Sequence, residues 1–149
     1  MVRFGAGLVG IDPSETTGLH GASRLTAPVA HSATVRAGSP VGYGGTYVTD
    51  TSTNLSVVPL GYSDGIPREI SPDASVEIRG RRHPVVGRVS MDQIVIDTGA
   101  DYVPRGSTAT VFGPQDGVTP IIRDWACWAG TIPQTIVTGI GSRVNRTVA

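Results

Sequence analysis

Short stretches in which apolar and polar residues alternate, separated by turn residues, make up most of the chain before residue 113. A period of two residues is typical of strands with one buried face. Turn signals recur at a spacing of roughly 8–12 residues, which favours a β-sandwich or a β-barrel. The predicted strands cover residues 2–11, 25–38, 54–58, 74–80, 83–90, 92–98 and 107–113.

Helical signals occur only near the C-terminus. Thr119 can cap a helix and Pro120 can occupy its first turn, so residues 119–130 predict a helix that ends at Gly130. Residues 131–141 predict a second, shorter helix. We therefore expect one or two short helices after the strands.

The composition is that of one folded domain without a marked net charge. With 39% hydrophobic and 16% charged residues, the chain can bury a core of its own. The 12 basic and 12 acidic residues balance, which argues against nucleic acid or an anionic membrane as the partner. No apolar run approaches the ~20 residues of a membrane-spanning helix, and no signal-peptide pattern opens the chain. A cytoplasmic location is the expectation.

All 12 basic residues are arginine, and the chain contains no lysine. Genomic base composition explains such a bias more simply than selection against lysine. The chemical consequence is firm in either case, because a guanidinium group stays protonated and cannot form a Schiff base. This chain by itself therefore cannot hold an aldehyde cofactor covalently.

The single cysteine and the three histidines show no spacing typical of a metal site. Cys127 lies in the predicted helix, where a lone thiol is most often part of an inert core, and it has no disulfide partner. His20 lies in a polar loop and His83 beside a predicted hairpin turn, so both are expected to be exposed. His31 is well separated from both in sequence. No metal is expected.

Three stretches place polar functional groups beside glycine or in a tight turn: residues 42–44, 61–65 and 90–93. A tyrosine hydroxyl acts as a general acid or base when neighbours such as arginines lower its pKa from the usual value of about 10. Tyr43 and Tyr62 are the candidates for this chemistry. The same pattern also fits strand-end aromatics that pack against the barrel, so the residues alone leave both interpretations open.

Asp92 and Asp97 lie at the two ends of one predicted strand. Carboxylates at strand ends are usually solvated or bonded to turn amides, so this spacing alone supports no acid/base pair. The glycines within residues 2–11 also form no dinucleotide-binding motif, because no helix follows them.

Taken in order, these stretches resemble the C-terminal domain of alanine racemase, a family of enzymes that use pyridoxal phosphate (PLP). The matching segments are VGYGGTY, VVPLGYSDGIPR, RGRRHPVVGRVSMDQIVID, VFG and WAGTIPQTIVTGIGSRVNR, over roughly residues 35–146. The resemblance implies an all-β fold, a mainly antiparallel small barrel with one or two short helices near the C-terminus. Residues 1–30 would be the last strand of the PLP barrel with its connecting loop, and residues 31–149 the β-domain.

The resemblance also assigns roles to individual residues. In the family, the tyrosine that matches Tyr43 is the catalytic acid/base on one face of the substrate α-carbon, and it reaches into the PLP site of the neighbouring subunit. A lysine of the barrel serves the other face. Met91 matches the residue whose backbone amide meets the substrate carboxylate, and Tyr62 and Asp92 match polar residues at the substrate entrance.

Three N-terminal positions match cofactor contacts of the family. Arg3 matches the arginine that hydrogen-bonds the pyridine nitrogen of PLP, and Gly5 and Ala6 match backbone positions near its phosphate. Two features depart from the family. The barrel with its PLP lysine is missing from the sequence except for its last strand, and Gln134 and Thr135 stand where a Tyr-Glu pair is usual. That tyrosine ordinarily helps to position the catalytic tyrosine and touches the phosphate.

Three functions are compatible with these residues. The first, which we favour, is an alanine-racemase-like isomerase domain that supplies Tyr43 in trans to a PLP-bearing barrel, so that PLP is bound only through the partner. The second is a standalone, PLP-independent enzyme that uses Tyr43, Tyr62 and Asp92 on a small amino-acid-derived metabolite. The third is a non-catalytic dimerisation or interaction module. Because the β-domain of the family normally pairs with another chain, a homodimer is expected in each case.

Overall fold

The computed structural model of the protein describes residues 5–11 and 21–148, and strands make up most of the regular structure there. The strands are β1 (Leu25–Pro28), β2 (His31–Val35), β3 (Pro40–Val41), β4 (Tyr47–Val48), β5 (Thr53–Val58), β6 (Ser75–Ile78), β7 (Arg81–Val86), β8 (Ile94–Gly99) and β9 (Thr108–Phe112). Short 3₁₀ turns cover Ala6–Val9, Tyr43–Gly45 and Tyr62–Asp64, and the helices are α1 (Ile122–Trp128) and α2 (Pro133–Gly139). The predicted all-β class with short C-terminal helices is confirmed.

Within the described residues, seven strands form one antiparallel sheet that curls into a half-barrel, in the order β1-β9-β6-β7-β8-β5-β2. β1 and β2 lie at opposite ends of this order, although only Val29 and Ala30 separate them in the chain. The Val29 N–H donates to Ser107 O and the Ala30 N–H donates to Val57 O, both at 2.8 Å. The two ends of the sheet therefore meet at this link.

The sequence predicted one strand over residues 25–38, and this prediction was wrong because the chain changes partners inside it. β1 pairs with β9, whereas β2 pairs with β5. Pro28 ends the first piece, and proline has no N–H with which to continue a ladder. The predicted strands from residue 54 onward are confirmed as β5 to β9. The hairpin connection predicted over residues 79–82 is shorter in the structure: Arg79 and Gly80, with φ of 54° and 77°, form the turn, and Arg81 and Arg82 belong to β7.

Alternating side chains of the strands fill the interior of the half-barrel. Those that are fully enclosed include Val58, Val76, Ile78, Ile94, Ile96 and Val111. Trp125 of α1 is also completely buried, and its indole N–H donates to the carbonyl of Val111 at 2.6 Å. A buried tryptophan needs such a partner for its N–H. This contact fixes α1 against β9.

Two side chains differ in burial from their predictions. Cys127 was predicted to lie in the core and is exposed, because the buried face of α1 consists of Ile122, Trp125 and Ala126 at helical spacing. His83 was predicted to be exposed and is only 8% exposed, because it shares one face of β7 with the buried Val85.

The N-terminal run at residues 2–11 does not form the predicted strand where the structure describes it. Ala6–Val9 form a 3₁₀ turn that ends at Gly10, whose φ of 76° lies in the left-handed region favoured by glycine. Gly10, which looked like a strand residue, therefore turns the chain. Arg3 and His20 lie outside the described residues, and the predicted division of the chain at residue 30 stays a prediction.

Helix α1 begins at Ile122 and not near Thr119, the predicted capping residue. The Asp116 carboxylate accepts both the N–H of Thr119, at 2.6 Å, and its hydroxyl, at 2.7 Å. Thr119 is therefore held in a turn before the helix. The Asp124 carboxylate instead accepts the N–H of Ile121 at 3.1 Å, next to the first turn of the helix.

These contacts make Asp116 a source of acid-sensitive stability. Bonds from the hydroxyl and amide of Thr119, with a further bond from the Val118 amide, lower the pKa of Asp116 from its ordinary 3.8 to about 2. Because the pKa is lower in the folded state, the stabilisation is present above the unfolded-state value and is lost as the pH falls toward about 2.

We expect Asp116→Asn to lower the free energy of unfolding at neutral pH, and the difference from the unchanged protein to shrink as the pH falls from 3.8 to about 2. The cause is that protonated Asp116 no longer offers a charged acceptor to Thr119. Urea unfolding followed by tryptophan fluorescence at stepwise lower pH measures the difference. A gap that stays constant over the whole range would contradict this assignment.

Candidate functional site

The first tyrosine motif folds as a small hairpin separate from the main sheet. β3 pairs with β4, and Tyr43–Gly45 form a 3₁₀ turn at the tip. Gly42 and Gly44 have φ of 72° and 76°, which is the left-handed region that favours glycine. The turn leaves Tyr43 74% exposed. The glycines thus permit a sharp turn that presents the ring to solvent, and the ring does not pack against the barrel.

The base of this hairpin touches the backbone that follows β7. An ideal Cβ placed on Gly87 would lie 2.9 Å from the Val41 carbonyl oxygen, and one on Gly42 would lie 3.3 Å from the Arg88 amide nitrogen. A side chain at Gly87 would therefore push the two segments apart, and one at Gly42 would make a tight contact with Arg88. The Arg88 Nη1 lies 3.7 Å from the place of a Cβ on Gly44, so a guanidinium stands beside the tip of the hairpin.

The second tyrosine of the motif, Tyr47, anchors the hairpin to the main sheet. Its hydroxyl donates to the Asp97 carboxylate at 3.1 Å, and the same carboxylate accepts the Thr53 hydroxyl at 2.5 Å and the Gly99 N–H at 2.9 Å. Burial, followed by the hydrogen bond to Asp97, raises the pKa of Tyr47. Tyr47 therefore remains a proton donor to Asp97, and Asp97 has a structural part in holding the hairpin.

The turn at residues 61–65 and the loop at residues 90–93 form a second unit, in which the two segments are joined by hydrogen bonds. Its hydrogen bonds are Tyr62 N–H to Ser90 O (3.1 Å), Ser63 N–H to Met91 O (3.0 Å) and Ser63 Oγ–H to Met91 O (2.8 Å). These bonds fix the carbonyl groups of the loop, so the position of Met91 is set by the turn beneath it.

Arg143, from the segment after α2, bridges two carboxylates of this unit. Its Nε lies 3.1 Å from Asp64 Oδ1, and its Nη1 lies 2.8 Å from Asp92 Oδ1. The guanidinium, helped by the Ser63 hydroxyl, lowers the pKa of Asp92, which keeps this carboxylate ionised at neutral pH. Sequence reasoning gave Arg143 no role, because its two partners lie in distant segments and the SRVNR stretch was the only signal.

An open cleft of about 420 Å³ joins the hairpin to the 90–93 loop. The lining residues are Gly42, Tyr43, Ser90, Met91, Asp92 and Gln93. Three of the residues chosen from the sequence, Tyr43, Met91 and Asp92, thus lie together around one cleft. Tyr62 does not line it, but its amide bonds to the loop that does.

The residues of this chain do not by themselves fit a covalently bound PLP. The sequence has no lysine for a Schiff base, and Gly5 and Ala6 lie on the N-terminal turn and do not line the cleft. Gln134, at the place where a tyrosine is usual, lies on α2 with its carbonyl accepting the Thr138 hydroxyl at 2.8 Å. Covalent PLP chemistry at this cleft would need a lysine from outside this chain.

The described residues, 5–11 and 21–148, contain neither a metal-binding cluster nor a membrane-spanning helix. No three His, Cys, Asp or Glu side chains of this part of the chain are grouped closely enough to hold a metal ion. Nor does this part contain a helix with the length and apolar character needed to cross a membrane. The cleft beside Tyr43 is the candidate site because it brings Tyr43, Met91 and Asp92 together.

Comparison with known proteins links this chain to one enzyme family. The family model described as "Alanine racemase, C-terminal domain" matches residues 22–148. An alanine racemase of Thermobifida fusca is 46% identical over 149 residues, which cover 98% of this chain and 40% of the relative. This chain thus spans about 40% of the length of the curated relatives it matches.

Solved structures agree with the sequence comparison. The alanine racemase of Streptomyces coelicolor matches with a TM-score of 0.87 and 43% identity, over 92% of this chain and 37% of that chain. The alanine racemase of Bartonella henselae, solved with covalently bound pyridoxal phosphate, matches with a TM-score of 0.86 and 33% identity, over 96% and 40% of the two chains.

Proposed function

Because this chain belongs to the alanine racemase C-terminal domain family, we propose that it supplies Tyr43 as the acid/base for proton transfer at the α-carbon of an amino acid, in trans to a PLP-bearing barrel. The observation that carries the proposal is the exposed Tyr43 ring at a cleft shared with Met91 and Asp92. A general acid or base must come within hydrogen-bond reach of the proton it moves. A tyrosine at the tip of a hairpin can meet a substrate held by another chain.

Two residues of the cleft, Tyr43 and Met91, would act on different parts of the substrate. PLP, when bound by the barrel, would increase the acidity of the substrate α-proton. The Tyr43 hydroxyl would take up or return that proton on one face of the α-carbon. The N–H of Met91 takes part in no hydrogen bond within the described residues, although the Met91 carbonyl accepts two. A backbone donor left open beside a cleft is suited to a substrate carboxylate.

The surface around the cleft also fits a partner that covers it. Tyr43, Met91 and Tyr62 are large apolar side chains with 74%, 54% and 39% of their surface exposed. Exposed aromatic and methionine side chains grouped around a polar centre are characteristic of interface residues. The partner would be a PLP-bearing barrel domain, either in a separate protein or in a second copy of a longer chain.

The test is the interconversion of L- and D-alanine in deuterated buffer with PLP present, followed by NMR of the α-proton and by chiral chromatography. Three samples are compared: this chain alone, this chain with the separately expressed barrel of the Thermobifida fusca racemase, and the two joined in one polypeptide. The barrel alone is the blank. We expect interconversion only when both parts are present. Loss of the α-proton from one enantiomer would be insufficient, because the lysine of the barrel could cause it.

A negative result is made informative by two controls. PLP absorbance must show that the barrel is loaded, and a fourth sample carries Gln134→Tyr, which restores the usual family residue on α2. Activity only in that sample would assign the defect to α2 and leave the Tyr43 site intact. No interconversion in any sample with a loaded barrel would overturn the proposal and direct the search to a cofactor-free enzyme or an interaction module.

A further inference from the structure

Arg143 joins a buried carboxylate to an exposed one at the edge of the cleft. Its side chain is 59% exposed, yet it holds the Asp64 carboxylate, which is only 4% exposed, through Nε at 3.1 Å. With the other end of the same guanidinium, it holds Asp92 at 2.8 Å. Arginine can make two such bonds at once because its guanidinium is a planar fork of donors, which the point charge of lysine cannot reproduce.

The buried end of this bridge is a fixed anchor. The second oxygen of Asp64, Oδ2, accepts the Gly61 N–H at 2.9 Å. The main-chain carbonyl of Asp64 accepts the Gly141 N–H at 3.0 Å. This bond attaches the segment that carries Arg143 to the turn at residues 61–65. Asp64 thus binds the guanidinium of Arg143 through its carboxylate and the backbone that leads to Arg143 through its carbonyl.

The outer end of the bridge contacts the 90–93 loop at Asp92. Asp92 accepts Arg143 Nη1 and, at 3.0 Å, the hydroxyl of Ser63. Ser90, two residues earlier, is held through its carbonyl by the Tyr62 amide. Met91 lies between these two attachments, with its carbonyl occupied and with no acceptor for its N–H among the described residues.

Charge gives Arg143 a second effect on the same loop. The formal charge of the group Asp64, Asp92 and Arg143 is about −1, and removing the arginine makes it about −2. A substrate carboxylate brought to the Met91 N–H would meet the uncompensated Asp92 on the adjacent residue. Arg143 therefore supports anion binding at Met91 by geometry and by charge.

We propose that Arg143 is a positioning residue, which holds the 90–93 loop between Asp64 and Asp92 so that the Met91 N–H is presented to the substrate carboxylate. The proposal rests on the proposed function, because it assumes that a carboxylate binds at Met91. It assigns to Arg143 no contact with the reacting atoms.

The kinetic test uses the barrel-joined polypeptide with Arg143→Met, Arg143→Lys and, as a matched control, Arg81→Met. Arg81 forms an exposed ion pair with Asp101, with 2.9 Å between Nη1 and the carboxylate oxygen, and neither residue lines the cleft. For Arg143→Met we expect KM for alanine to rise about tenfold with kcat within about twofold, since a carboxylate contact made equally in ground and transition states affects KM alone. Arg143→Lys should recover only part of the loss, because it restores the charge and not the fork.

A second readout does not depend on turnover. Hydrogen exchange of the Tyr62 and Ser63 amides, which are bonded to the carbonyls of the 90–93 loop, is measured by NMR on this chain alone. In Arg143→Met these amides should exchange about tenfold faster relative to the amides of β8, and in Arg81→Met they should not change.

The outcomes separate the two proposals. If neither the joined polypeptide nor its Gln134→Tyr form interconverts alanine with a loaded barrel, the proposed function fails, and the amide exchange still tests whether Arg143 holds the loop. If interconversion occurs and Arg143→Met changes neither KM nor the exchange ratio, the positioning role is overturned. A lower melting temperature with an unchanged KM and exchange ratio would also overturn it, because Arg143 would then contribute stability only.

Discussion

Replacing Tyr43 with phenylalanine is expected to slow the interconversion of alanine by the barrel-joined protein about 10²- to 10⁴-fold, the usual contribution of a positioned acid or base. The change removes one hydroxyl from a side chain that is 74% exposed and that makes no hydrogen bond within the described residues. Folding should therefore be almost unaffected, with the melting temperature within about 1 °C of the unchanged protein. Chiral chromatography of the alanine product measures the rate.

Tyr62→Phe is the matched control for this experiment. It also removes one tyrosine hydroxyl, from a side chain near the cleft, but that ring lies outside the cleft lining. Its rate should fall much less than that of Tyr43→Phe. If Tyr43→Phe retains the full rate, or if both variants lose activity equally, the assignment of the acid/base to Tyr43 is wrong.

The sheet could be predicted from the sequence because the alternation along its strands reports burial directly. In β8, for example, Ile94, Ile96 and Thr98 face inward and the residues between them do not, which is the period of two that the sequence shows. The prediction was wrong where local chemistry overrode the pattern. Thr119 is bonded to Asp116 in a turn, so α1 begins later than predicted. Gly10, in the left-handed conformation, turns an apolar run that resembled a strand.

The site was predicted only in part, for a different physical reason. Tyr43, Met91 and Asp92 were chosen by resemblance, and the fold brings them to one cleft. Arg143 was missed because its role depends on two contacts between distant segments, one of them 51 residues away, which no local spacing can indicate. The part played by Tyr47 was also invisible in sequence, since only the fold places Asp97 within reach of its hydroxyl.

Gly61 shows how closely the site depends on backbone contact. Its φ of −140° is open to any residue, so backbone conformation does not explain the glycine. Space does, because an ideal Cβ on Gly61 would lie 2.3 Å from Met91 O and 2.4 Å from Ser90 O. Both atoms belong to the 90–93 loop, so a methyl group at this position must push the loop away from the turn.

We therefore expect Gly61→Ala to lower the rate of interconversion by about 100-fold, since a displacement of about 1 Å at a substrate-positioning group has effects of this size. The free energy of unfolding should fall by about 1–3 kcal/mol, the usual cost of forcing extra volume into a packed contact. Urea unfolding and the alanine assay on the same samples measure the two effects.

Gly139→Ala is the control, because an ideal Cβ there would meet only Gly65 O, at 3.8 Å, which is an ordinary contact. It should leave both quantities nearly unchanged. The two effects of Gly61→Ala also distinguish the causes of lost activity. If the variant is destabilised and the folded protein interconverts alanine at the full rate, the loop can move without consequence, and Met91 does not bind the carboxylate. If activity falls far more than stability, and Tyr62 and Ser63 exchange faster as in Arg143→Met, the placement of the loop is what the reaction requires.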